Sequence, residues 1–275
     1  MNELSLRIFS SIILLILFYM LIFGNLIIFI TLLQIFQFVC VWEYLRLIKH
    51  YELFSKESSI KEYENLTKTK LGINSFFLIF LLNFLNLSFI YESVIFIIIL
   101  LTLIIYVYFK YFFTTLINLI GLLYVVSPFF LIIILKSHLD YERIFLFTII
   151  FSILVDSSAY FFGKKIGGMK LASSISPNKT IAGFIAGIIV PTTICIFVYN
   201  HKDIFNVLLL SIIFSITLQF GDLIESKFKR ICKVKDSSNI IPGHGGALDR
   251  LDGIFLFLIL ISLFTILDYN LFFIQ

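Results

Sequence analysis

Charge is scarce in this chain: of 275 residues, only 14% are Asp, Glu, Lys or Arg. An ordinary soluble domain carries about 25%, so that class is excluded at the outset. Cysteine is scarcer still. Cys40, Cys195 and Cys232 stand alone, with no CxxC pair and no Cys/His spacing suited to zinc. Neither a disulfide framework nor a structural zinc site is expected, and the thiols read as reduced bystanders. The first apolar run has little basic character before it and no small-residue cleavage site after it, so no cleavable signal peptide is expected. No linker and no internal repeat is legible. One integral membrane domain over 1–275 is therefore expected, with 1–150 mainly scaffold spans and 151–275 carrying the catalytic spans and loops.

What the chain has in abundance is hydrocarbon. Sixty per cent of residues are hydrophobic and 34 are phenylalanine, in runs too long for buried core helices but suited to spans of about 20 residues. The fold class expected is an all-α, polytopic transmembrane protein. Apolar runs between polar breaks give nine spans, at 8–24, 25–45, 73–89, 92–109, 112–135, 143–162, 180–199, 204–224 and 252–272. Only Gly24-Asn25 separates the first two. With the N-terminus cytoplasmic, 18 of the 21 Lys and Arg fall on the cytoplasmic side, as the positive-inside rule requires. The net charge of +4 thus describes one membrane face, and no nucleic-acid partner is implied. The 46–72 loop, with Lys56, Glu57, Lys61, Glu62, Glu64, Lys68 and Lys70, reads as a solvated cytoplasmic helical hairpin with no direct catalytic role.

Ten of the 13 glycines and three of the four prolines lie between Gly163 and Gly253, and this half is taken to carry every intramembrane carboxylate of interest. Charges beside hydrocarbon are costly, so their concentration marks a site. Three constellations stand out. Asp156-Ser-Ser-Ala-Tyr160 precedes Gly163-Lys-Lys165 and Ser176-Pro-Asn-Lys-Thr180. Lys179 and Thr180 open a span, where unbonded backbone N–H groups favour an anion. Alone, Asp156 could equally make an interhelical hydrogen bond. Next, Asp222, Glu225 and Ser226 share one helix face at i, i+3 and i+4, a fair Mg²⁺ ligand set once phosphate completes the shell. Last, Ser226-Lys-Phe-Lys-Arg230, Lys235-Asp236, Pro242-Gly-His-Gly-Gly246 and Asp249-Arg-Leu-Asp252 form a polar loop between spans. Its glycines allow positive φ and let backbone N–H groups converge on an anion. Asp249 could also be a helix cap.

At these residues the chain resembles the phosphatidate cytidylyltransferase family, also called CDP-diacylglycerol synthases. The loop signature from Ser226 to Asp252 carries the resemblance, and Gly221-Asp222-Leu223, Ser176-Pro177 with Lys179-Thr180, and Asp156-Ser157 with Gly163-Lys164 follow it in order. The detailed likeness covers 156–253. Ala182, Ala247 and Gly253 depart from the family pattern, and Ala182 puts in doubt one helper contact near Lys179.

The resemblance implies transfer of CMP from CTP to phosphatidate, with pyrophosphate released. It implies Mg²⁺, and a monovalent cation such as K⁺ as a further candidate. Asp222 and Asp249 would hold the metal, with Asp252 and Asp156 as second ligands or orienters. Lys179, Lys229, Arg230, Lys235 and Arg250 would neutralise phosphates, and Asp236 belongs to the same catalytic stretch. His244, Gly245 and Gly246 would shape the phosphate pocket, with Ser176, Thr180 and Ser226 on the substrate. Expected partners are CTP, phosphatidate drawn from the inner leaflet, the bilayer and, as one option, a second copy in a homodimer. The expected location is the inner (cytoplasmic) membrane, with several passes. Two rivals are a CTP-dependent polyprenol kinase and an anion transporter. Charge gathered at one face rather than at the midplane speaks against the transporter.

Overall fold

The structure, a computed structural model, describes residues 3–55, 116–136, 138, 140–267, 269 and 271–274. The expected spans 73–89 and 92–109 and the loop residues 56–72 lie outside them. The described part is helical apart from one hairpin, and it divides into two units.

The first unit comprises Met1–Ile133 and Ile231–Arg250. Helix α1 (Glu3–Phe23) and helix α2 (Leu26–Ser55) pack together. The break between them is built by the two residues that marked it in the sequence. The Gly24 N–H closes α1 on the Met20 carbonyl at 2.9 Å, and the Asn25 side chain accepts the Ile28 N–H at 2.9 Å, capping α2. A Cβ on Gly24 would lie 2.2 Å from the Met20 carbonyl oxygen. The helix α2 runs ten residues past the expected end at 45, because Tyr44, Leu45, Leu47 and Ile48 are buried in core rather than solvated. Helix α3 (Leu116–Lys136) contains Pro128.

The second unit comprises Ile134–Arg230 and Leu251–Gln275. Helix α4 (Tyr141–Ile166) leads into strands β1 (Lys170–Ala172) and β2 (Ser176–Thr180), then helices α5 (Ile181–Val198) and α6 (Ile204–Ile231). Helix α7 (Leu248–Ile266) starts in the first unit and continues in the second. The strands pair antiparallel, Lys170 opposite Thr180 and Ala172 opposite Ser176, where a plain loop was expected. Gly167 and Gly168 turn into this hairpin at φ of 68° and 88°, which L side chains rarely adopt.

Two glycine pairs set the helix spacing. A Cβ on Gly183 would meet the Ala159 carbonyl at 2.6 Å and the Gly163 Cα at 3.1 Å, so α4 and α5 cross backbone to backbone. A Cβ on Gly221 would come within 3.0 Å of the Asp252 carbonyl, and one on Gly253 within 2.8 Å of the Leu218 carbonyl. Small residues are the usual means of close approach between helices in lipid. Away from these crossings the core is aromatic: Phe147 stacks on Phe273 at 3.9 Å, and Phe214 sits edge-on to Phe257 at 5.2 Å. Among the described residues five helices, α1, α2, α4, α5 and α6, are long and apolar enough to cross a membrane. At 28 residues, α6 is about 42 Å long, against roughly 30 Å of bilayer hydrocarbon. Its last turns therefore extend past the expected end at 224, and Ser226–Arg230 is helix rather than loop.

Candidate active site

In the second unit, α4, the hairpin, α5 and α6 enclose a cavity of about 650 Å³. Asp156 and Tyr160 come from α4, Lys170 and Lys179 from the strands, and Asp222 from α6. Lys164, Gly167 and Gly168 complete the rim. Four of the sequence-predicted residues, Asp156, Lys179, Thr180 and Asp222, thus line one space. The Lys179 ammonium is in salt-bridge contact with the Asp222 carboxylate, and Ser226 Oγ donates to the other Asp222 oxygen at 3.2 Å. Asp252 lies within electrostatic reach of Asp222, Asp156 and Lys229.

Thr180 is buried, and its hydroxyl serves the fold. Its Oγ1 accepts the Gly183 N–H at 3.1 Å as the N-cap of α5 and reaches the Gly163 carbonyl at 3.4 Å. Ser176 sits at the start of β2, opposite Ala172. On the polar end of α6, the nearly buried Lys229 pairs with Glu225 at 3.2 Å. The exposed Arg230 donates from Nε to the Ile175 carbonyl at 3.1 Å, tying the hairpin to the helix. Among the described residues no three His, Cys, Asp or Glu side chains are grouped to hold a metal by themselves.

The remaining predicted residues belong to the first unit. Lys235 and Asp236 are exposed on the turn after α6. Residues 241–245 close a tight turn: the Ile241 N–H donates to the Gly245 carbonyl, and the His244 N–H to the Ile241 carbonyl, each at 2.9 Å. Gly243 and Gly245 take φ of 75° and 83°. His244 Nδ1 and Ser10 Oγ share a 2.7 Å hydrogen bond, and Arg250 Nε donates to the His244 carbonyl at 3.1 Å. Burial, then the Arg250 and Arg7 guanidinium groups, push the His244 imidazole below its ordinary pKa.

The backbone amides after this turn do converge on anions, and the anions come from the chain itself. Asp249 Oδ2 accepts the Gly246 N–H at 2.8 Å, the Ser237 N–H at 2.9 Å and the Ser237 hydroxyl at 3.0 Å. Glu43, fully buried on α2, accepts the Ala247 N–H at 3.0 Å and the Leu248 N–H at 2.8 Å. It also takes the Ser237 hydroxyl at 3.0 Å and the Ser238 hydroxyl. Gly246 is glycine for the same reason: a Cβ there would lie 2.0 Å from Ser237 Oγ and 2.4 Å from Glu43 Oε1.

Glu43, in the half expected to be mainly scaffold, is a buried and fully engaged carboxylate that the sequence reading did not single out. One signal pointed to it: it is the lone acid in an apolar run, and such a group needs partners to offset its desolvation. Arg46 and His50 follow it on α2. Arg46 donates to the Ser237 carbonyl at 3.3 Å and His50 Nδ1 to the Cys232 carbonyl at 2.9 Å. The three cysteines are buried and form no disulfide, and burial pushes the Cys232 thiol up to about 12, which suits an unreactive bystander.

Comparison with known proteins bears on both units. A model of the cytidylyltransferase family matches residues 5–267. The chain is 46% identical over 128 residues to the phosphatidate cytidylyltransferase of Staphylococcus epidermidis, covering 45% of this chain and 49% of that protein. With the phosphatidate cytidylyltransferase of Staphylococcus haemolyticus the identity is 50% over 117 residues, covering 41% and 45%. With that of Staphylococcus aureus it is 47% over 117 residues, again 41% and 45%. The chain spans about half the length of the curated relatives it matches.

Proposed function

The chain belongs to the cytidylyltransferase family, and from that premise we propose that it transfers CMP from CTP to phosphatidate, giving CDP-diacylglycerol and pyrophosphate. The observation that carries this reading is the salt-bridged Lys179 and Asp222 inside a 650 Å³ cavity rimmed by Lys164 and Lys170. A lysine and a carboxylate held together at the wall of a roomy cavity can each exchange partners, the lysine toward a phosphate and the carboxylate toward a cation. Such a site suits a polyphosphate arriving with a metal.

A phosphatidate oxygen is already anionic, so attack on the α-phosphorus of CTP requires no strong base. The new bond joins that oxygen to phosphorus, the bond to the pyrophosphate oxygen breaks, and pyrophosphate leaves with the electron pair. The main obstacle is to bring two polyanions together in line, which positioning and fixed cations relieve. Lys179 is the cation we place on the nucleotide phosphates, with Lys164 and Lys170 at the rim. Arg230, Lys235 and Arg250, all exposed, are proposed to meet phosphates from solvent. Lys229, paired with Glu225, sets the charge beside Asp252. Ser226 orients Asp222 through its hydrogen bond.

The carboxylate oxygens of Asp222, Asp156 and Asp252 are hard donors near one another, which fits Mg²⁺ once phosphate oxygens complete its shell. Mg²⁺ is the cofactor proposed, with Asp249 retained as a candidate ligand and K⁺ as a candidate second ion. When bound, the metal would offset charge on the phosphates. Nine spans with a cytoplasmic N-terminus are proposed from the distribution of basic residues, and the inner (cytoplasmic) membrane is the location proposed for a cell without internal membranes. Phosphatidate would then enter between spans from the inner leaflet, and a homodimer is compatible with this arrangement.

The test is an assay of the purified chain in detergent with labelled CTP, phosphatidate and Mg²⁺, with and without chelator. Chelator-sensitive formation of CDP-diacylglycerol and pyrophosphate is expected. CDP and a phosphorylated polyprenol, with no CDP-lipid, would replace this reading with a lipid kinase.

A further inference from the structure

Glu43 lies in the half of the chain that carries none of the expected site residues, yet it holds the turn that carries several of them. We infer that Glu43 is a positioning residue for the reaction, fixing the Gly-rich turn and the start of α7 from beneath; the inference rests on the CMP-transfer reading above. Each carboxylate oxygen accepts one hydroxyl and one amide: Oε1 takes Ser238 Oγ and the Ala247 N–H, and Oε2 takes Ser237 Oγ and the Leu248 N–H. Ser237 is shared with Asp249 Oδ2, which also takes the Gly246 N–H. The two carboxylates therefore fasten 237, 238 and 246–248 as one piece. Arg46 and His50, at i+3 and i+7 on α2, share the Glu43 face and hold the carbonyls of Ser237 and Cys232.

This arrangement makes a specific demand. A serine hydroxyl can rotate to accept instead of donate, but a backbone N–H only donates. Glutamine at position 43 places its NH₂ against either the Ala247 or the Leu248 N–H, whichever way the amide is flipped. E43Q therefore loses an amide contact in both orientations, although its size is unchanged. Ser238→Ala removes one hydroxyl and leaves both amide contacts in place.

The test uses the full-length chain in detergent, with two readouts on E43Q and S238A. The first is hydrogen–deuterium exchange, comparing amides of 237–250 with those of 181–198. The second is CMP transfer at varied CTP and varied phosphatidate. For E43Q, exchange over 237–250 is expected to rise about ten-fold or more while 181–198 stays protected. The ratio kcat/KM for CTP should fall about 10- to 100-fold, the range set by losing a hydrogen bond to a charged group. The KM for phosphatidate should hold, and S238A should fall less than E43Q on both readouts. Wild-type exchange and turnover in E43Q would overturn the inference. So would loss of protection at 181–198 in step with activity, because Glu43 would then serve only the fold. Should E43Q yield no folded protein, the S237A/S238A pair decides on the same readouts: loosening confined to the turn upholds the inference, and no change overturns it. If the wild-type chain makes no CDP-diacylglycerol, the reaction reading fails, and the exchange pattern alone decides whether Glu43 fixes the turn.

Discussion

Alanine at position 246 separates two reasons for a glycine in this turn. Gly246, unlike Gly243 and Gly245, has no positive φ, so its backbone accepts an L residue. Removing a glycine from such a position ordinarily stabilises a protein by about 0.4–1 kcal/mol. Here the added Cβ would lie 2.0 Å from Ser237 Oγ and 2.4 Å from Glu43 Oε1. Both atoms must retreat by an ångström or more to reach ordinary contact, and both are engaged in the hydrogen bonds that hold the turn. Overpacking costs about 1–3 kcal/mol, and a lost bond to a charged acceptor about 1.5–3 kcal/mol. A net loss of about 3 kcal/mol is expected, which lowers Tm in detergent by roughly 6–12 °C for a chain of this size. The companion variant S237A removes the nearer of the two atoms. In a double-mutant cycle, G246A/S237A should be less destabilised than the sum of the singles, by about 0.5–3 kcal/mol. If Gly246 were instead needed to leave room for a phosphate, G246A would keep its Tm and raise only the KM for CTP, and the cycle would be additive. A Tm within 2 °C of wild type, about 0.5–1 kcal/mol, would refute the packing argument.

Other consequences are open to measurement. D222N and D249N should each abolish CMP transfer while expression holds, and full activity in either variant would remove that residue from the metal set. T180A should lose about 1 kcal/mol through the missing α5 cap, read as faster exchange at 181–185, whereas T180S should keep the protection. The lowered pKa of His244 means the folded turn prefers the neutral ring. Its contribution is therefore present above the ordinary histidine value and lost as pH falls through that value and then the lower folded one. Exchange over 241–250 should accelerate as pH falls below about 6.5, after correction for intrinsic rates, and H244Q should remove that dependence.

The helices were legible because hydrocarbon runs report directly on them, and five of those described are long and apolar enough to cross a membrane; Gly24-Asn25 supplied both a C-terminal stop and a cap. The convergence of Asp156, Lys179 and Asp222 was legible too, since each interrupts an apolar span or marks its end. The hairpin was not. Its strands have three and five residues, and Ser176-Pro-Asn-Lys179 shows no alternation of apolar and polar groups for a period-two reading to detect. Nor was the helical state of Ser226–Arg230, because hydropathy marks where α6 leaves the lipid rather than where its hydrogen bonding stops. Glu43 was missed for a different reason. Its partners are backbone amides and two serines some 200 residues away, and no local motif encodes that meeting.

The carboxylates of this chain differ in what they hold, and that difference assigns them different work. Glu43, and Asp249 through its Oδ2, face amides and serine hydroxyls, groups on the backbone or two bonds from it. Neither can change partner without moving the chain, and Glu43 would give up four hydrogen bonds at once. Asp222 faces Lys179, an ammonium on a flexible four-carbon stem. That pair is only about 30% and 25% exposed, so it lies between a surface pair, which contributes about 0–1 kcal/mol, and a buried one, whose breaking costs about 3–5 kcal/mol. Lys179 can exchange Asp222 for a phosphate by swinging that stem, keeping its charge paired, whereas shifting Glu43 gives up hydrogen bonds to two backbone amides. Under the proposed transfer, a lysine that can change partner suits a polyanion that must enter and leave, while carboxylates that cannot let go suit a turn that must stay fixed.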